Sequence, residues 1–181
     1  MATEKVEVRK TFVSHKITDK WRTPPTVIEW LAQWLGRKFA LDAFAADGTA
    51  VGADYFTADR PAPIADWGKD WWFANPCYSR RAFASHVHAI LANAHRPGVA
   101  LVRSDLGTSS GAALLRAASG VILWPERMAF YDRMGPVRGS NFSNALLIYG
   151  DRAHFADRPL PRARSQRAKC IEGLQPEVLW K

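Results

Sequence analysis

Residues 75–79 read Asn-Pro-Cys-Tyr-Ser, just after the aromatic pair Trp71 and Trp72 and just before Arg80 and Arg81. Within that stretch the chain offers a side-chain amide, a backbone carbonyl beside a rigid ring, a thiol and an aromatic face. Amide and carbonyl oxygens accept hydrogen bonds, an ionised thiol is a nucleophile, and a ring gives a ligand a flat surface. Two readings stay open on these residues alone. Strands often finish at Asn or Pro and Ser79 suits a helix start, so a plain turn suffices. The carboxyl ends of strands in open α/β sheets are also where ligands bind.

The elements needed to position such a loop are legible on either side of it. Thr23 reads as the N-cap of a helix, with Pro24 and Pro25 tolerated in the first turn. Val27, Ile28, Trp30, Leu31, Trp34 and Leu35 follow at helical spacing, and Gly36 ends the run. Residues 39–44 read as a short buried strand carrying Asp42, an acid that is expensive to bury without a partner. The small residues Ala43, Ala45, Ala46, Gly48 and Ala50 leave room there for a close ligand. An irregular connection is expected over 51–68, then strands over 71–74, 98–102 and 121–124, alternating with helices over 79–96 and 109–119. This alternation predicts an α/β sheet with helices on both faces. Residues 144–149 read as a last strand, and the short connection before them suggests a hairpin-like antiparallel edge.

A chain of 181 residues is long enough to bury a core as one domain, spanning 21–150, with a basic arm over 1–20 and a basic tail over 151–181. Within the tail, Leu174, Val178, Leu179 and Trp180 are apolar enough to dock back. Lys and Arg number 25 against 17 Asp and Glu, a formal charge of +8 that favours a polyanionic partner such as nucleic acid. Eight Trp residues need burial or a ligand. Cys77 and Cys170 make neither a disulfide framework nor a zinc site. With no apolar run of membrane-spanning length and no leader-like segment at the start, a cytoplasmic protein is expected.

The order of Trp21-Arg22-Thr23-Pro24, Leu41-Asp42-Ala43-Phe44-Ala45, Tyr55-Phe56, Asp66-Trp67 and Asn75-Pro76-Cys77-Tyr78-Ser79 resembles the phage-type, Dam-like DNA N6-adenine methyltransferases. Arg127-Met128-Ala129-Phe130 and the strand over 144–149 fit more loosely, and the resemblance covers roughly 20–150. It implies a Rossmann-like S-adenosylmethionine-dependent methyltransferase fold with a mixed, mostly parallel sheet and an antiparallel edge strand. It further implies methyl transfer to the exocyclic amine of an adenine flipped out of double-stranded DNA, without metal, as in phage modification against host restriction.

That amine is a poor nucleophile because its lone pair is delocalised into the ring. In the family pattern the Asn oxygen and the following Pro carbonyl accept its two protons, which here implies Asn75 and Pro76, with Tyr78 stacking the base. The resemblance places S-adenosylmethionine against Thr23, Pro24, Asp42, Ala43, Ala45 and Asn75. DNA contacts are expected from Cys77, Ser79, Arg127 and Arg138. Asp66 is explained equally by a surface turn, and His86, His88 and His95 read as structural or exposed.

Cys77 departs from the family, which usually has a second Pro there; that Pro restricts the residue before it and fixes the loop. Two other readings follow. In one, Pro76-Cys77 acts like the Pro-Cys of cytosine-5 methyltransferases, whose thiolate attacks the base, although no Glu-Asn-Val segment follows the next strand. In the other, the chain is an inactive DNA-binding relic of the fold.

Overall fold

A computed structural model of the chain describes residues 21–45, 50–57, 66–124, 127–132, 135–137, 140, 142–155 and 177–180. The arm over 1–20, Ala46, Gly48 and the basic stretch after residue 156 lie outside them. Helix α1 (Pro25–Leu35) opens on Pro24 as N-cap and turns Val27, Trp30, Leu31, Trp34 and Leu35 inward. It ends where Gly36 takes a left-handed conformation (φ 66°), so that the Gly36 and Arg37 amides satisfy the carbonyls of Gln33 and Ala32.

Strands β1 (Leu41–Asp42), β2 (Asp54–Tyr55), β3 (Trp72–Ala74), β4 (Gly98–Arg103), β5 (Gly120–Leu123), β8 (Asn144–Tyr149) and β9 (Glu177–Trp180) form one sheet in the order β2-β1-β3-β4-β8-β5-β9. β1 to β5 run one way, whereas β8 and β9 run against their neighbours. β6 (Tyr131–Asp132) and β7 (Gly135–Pro136) make a separate hairpin. The α/β class with a mixed sheet is therefore the one expected. The antiparallel edge is β9, however, and β8 lies inside the sheet between β4 and β5. Every residue of β8 is buried, and a strand with no solvated face belongs in the interior.

Alternation along the strands divides the core in two. Phe73, Val99, Leu101, Leu146 and Ile148 face α1 with its Trp30 and Trp34. Trp72, Ala74, Ala100, Val102, Leu147 and Tyr149 face the other way, toward α2 (Arg80–Ala92) and α3 (Ser109–Ala117). The abundant Trp is mainly core: Trp30, Trp34, Trp67, Trp71, Trp72 and Trp124 are all buried, and most of them meet another aromatic ring edge-on or tilted.

Gly98 opens β4 because the Trp72 indole lies where its side chain would be. Even one methyl there overlaps a fully buried ring in a strand that is hydrogen-bonded on both sides. Gly98→Ala is expected to lower unfolding free energy by about 3 kcal/mol, read as a reduced denaturant midpoint.

Candidate active site

Parallel strands put their carboxyl ends on one edge, and the residues singled out from the sequence gather there. Asp42 ends β1, Asn75 follows β3, and Arg103 ends β4. Asp42 is buried, and its two carboxylate oxygens accept hydrogen bonds from the Phe44 amide (3.3 Å) and the Val51 amide (3.1 Å). Burial raises its pKa from 3.8 to about 6, against the lowering effect of those two amides. The small residues beside it are enclosed, Ala43 fully and Ala45 nearly so.

Thr23 does not cap α1. Pro24 takes that position without a side-chain bond, and the Thr23 hydroxyl instead accepts a hydrogen bond from Asn75 Nδ2 at 3.2 Å. This contact joins two segments 52 residues apart and leaves Asn75 Oδ1 as the acceptor end of the amide. Pro76, within the loop, is buried. The segment leading into Thr23 is clipped in place by paired backbone bonds between Arg22 and Tyr131 of the β6–β7 hairpin (2.7 and 3.0 Å).

Tyr78 stacks on Phe83 (centroids 5.2 Å apart, 25° between planes), and its hydroxyl accepts the Arg103 amide at 2.9 Å. The residue keeps part of its surface accessible, yet its hydroxyl end is enclosed. Burial pushes that phenol above the usual tyrosine range, with the Arg103 amide working in the opposite direction, so it stays neutral. Phe142 lies beside Tyr78 (6.4 Å) and Trp21 (6.4 Å), with the Arg103 guanidinium 4.9 Å from its ring.

Cys77 turns its thiol to the Ser79 hydroxyl, 3.2 Å away. Ser79 is the N-cap of α2 by position but makes no side-chain cap bond. Arg127 is exposed, four residues after the end of β5. Arg138 lies outside the described residues. Asp66 belongs elsewhere: it pairs with Arg96 at 2.9 Å and accepts the Gly68 amide, near the amino end of β4, so the surface-turn explanation holds.

A cavity of about 400 Å³ opens beside Thr23, lined also by Arg22, Glu29, Val51, Tyr131 and Asp132. A larger one of about 540 Å³, lined by Arg37, Lys69, Trp71, Pro97 and His154, lies at the amino ends of β3 and β4, away from this chemistry. Sequence reasoning missed the hairpin residues Tyr131 and Asp132, for which no motif gave a signal. It read His86 only as structural or exposed, and the structure gives it a specific contact, its Nδ1 accepting the Cys77 amide at 3.0 Å. Its position three residues after Phe83, on the helix face below the loop, was the available clue.

No curated protein matches the chain. A family model described as DNA N-6-adenine-methyltransferase (Dam) matches residues 10–157. That span includes both arms of the site, the Thr23 to Asp42 segment and the Asn75 to Ser79 loop, and the chain belongs to the Dam family of DNA N6-adenine methyltransferases.

Proposed function

We propose that the protein transfers a methyl group from S-adenosylmethionine to N6 of an adenine rotated out of double-stranded DNA, and that the loop over 75–79 holds the amine. The observation that carries this reading is the hydrogen bond from Asn75 Nδ2 to Thr23 Oγ1, 3.2 Å long. It fixes the amide so that Oδ1 and the neighbouring Pro76 carbonyl act as the two acceptors. Accepting both amine protons draws the nitrogen lone pair out of the ring and aims it along one line. Tyr78, backed by Phe83 and held at its hydroxyl, is a rigid wall for the base. The amine proton leaves toward these oxygens, and no covalent bond to the enzyme forms.

The residues present fit the cofactor. A buried carboxylate at Asp42, the small Ala43 and Ala45, and the Thr23 hydroxyl and Asn75 amide at one mouth suit a cationic ligand with polar ends. The adjoining 400 Å³ cavity is of the size that small ligands occupy. When bound, S-adenosylmethionine supplies an electrophilic methyl on a sulfonium. Thr23, Pro24, Asp42, Ala43 and Ala45 hold it, and exposed Arg127, with Arg138 and the basic ends of the chain, meets DNA phosphates. Affinity for DNA then falls as salt rises.

The test is incubation with unmethylated duplex and isotopically labelled S-adenosylmethionine, digestion to nucleosides and mass spectrometry. Label on N6-methyladenine is expected. Label on 5-methylcytosine would move the chemistry to the Cys77 thiol, and absence of both label and cofactor binding would leave a DNA-binding relic.

A further inference from the structure

We propose that His86 is a positioning residue for the transfer loop, holding the Cys77 backbone where a second proline does so in the usual family pattern. A proline has no amide hydrogen to satisfy and restricts the residue before it. Cys77 brings back the N–H and removes the restriction. The structure answers both changes with one side chain, because His86 Nδ1 accepts the Cys77 N–H at 3.0 Å. A backbone amide only donates, so Nδ1 is unprotonated and the neutral ring carries its hydrogen on Nε2.

The imidazole is itself held. It lies flat on Phe44, with centroids 3.9 Å apart and 16° between planes. Phe44 in turn donates its amide to Asp42. Three residues earlier on α2, Phe83 supports Tyr78. One helix face thus carries the ring under Tyr78 and the acceptor for Cys77, and through Phe44 it links the amine side of the site to the Asp42 side.

The inference rests on the proposed amine transfer for its rate readout, and a double-mutant cycle tests it. His86→Phe keeps a flat ring against Phe44 and removes the acceptor. In the parent it is expected to slow single-turnover methyl transfer about tenfold with cofactor affinity unchanged, and His86→Gln, which restores an acceptor, recovers most of the loss. In a Cys77→Pro background the amide is gone and the proline Cδ presses on the ring in its place, so the acceptor has nothing to serve and the same His86→Phe change is expected to cost less than about twofold. An equal loss in both backgrounds would overturn the coupling. Hydrogen exchange at the Cys77 amide, followed by NMR on the cofactor-free protein, reads the same bond without any activity. Exchange about tenfold faster in His86→Phe upholds the assignment, and unchanged exchange overturns it. If the parent transfers no methyl at all, the functional reading fails while the exchange measurement still decides this one.

Discussion

Asn75→Ala is expected to slow methyl transfer by about 10²–10³-fold while leaving S-adenosylmethionine affinity within about tenfold of the parent. The reasoning separates the two ends of one amide. Nδ2 ties the loop to Thr23 at 3.2 Å, a part-buried neutral hydrogen bond whose loss costs about 1 kcal/mol. Oδ1 is the proposed acceptor for an amine proton, and that acceptance strengthens as the nitrogen begins to bond, so its loss appears in the chemical step. Thr23→Val removes the tie and keeps the acceptor. It is therefore expected to cost far less in single-turnover rate than Asn75→Ala, and calorimetric titration with the cofactor completes the comparison. An Asn75→Ala protein that transfers label within threefold of the parent rate would remove Asn75 from the mechanism.

Periodicity and terminators read well where a segment decides its own structure. α1 has a single apolar stripe and a Gly36 stop, and it folds as read. The alternating αβ run from residue 71 to 124 likewise forms from local pattern, with boundaries moved by a few residues. Position within the sheet is a different kind of property. The short connection before β8 suggested an edge, but the burial of all six of its residues, from Asn144 to Tyr149, follows from an insertion between β4 and β5 that no local rule encodes. Thr23 shows the same division at the scale of one side chain. Its sequence context is that of a helix cap, and only the approach of a segment 52 residues away gives its hydroxyl another donor. The loop over 75–79 could be singled out because the chemistry proposed for it is carried by consecutive residues, whereas His86 meets it from the next helix through a single ring nitrogen.

Asp42→Asn should separate the stability of the ligand-free protein from its capacity to bind cofactor. In the folded chain the carboxyl titrates at about 6, raised from 3.8 chiefly by burial. The folded state therefore binds the extra proton more tightly than the unfolded chain. This group's favourable contribution is full below pH 3.8, declines as pH rises to about 6, and is absent above it. The gap between those values is worth at most about 3 kcal/mol. An Asn carries a fixed penalty, since its amide nitrogen must face either the Phe44 or the Val51 N–H, but that penalty does not change with pH. The stability difference between variant and parent is therefore expected to move in the variant's favour by about 2 kcal/mol from pH 4 to pH 6 and to stay nearly flat from 6.5 to 8. Denaturant titrations of both proteins without cofactor, across that range, measure it. A difference that stays constant with pH would show that Asp42 is not the group that titrates. Cofactor binding responds in the opposite sense: a cation beside Asp42 favours its ionised form, so the parent's affinity for S-adenosylmethionine falls as pH drops below 6, and the Asn variant binds weakly without that pH dependence. The same burial that costs the empty fold stability at neutral pH places a negative charge, held by two backbone amides, where a sulfonium ligand is proposed to sit, and the two titrations together test whether those are one property of Asp42.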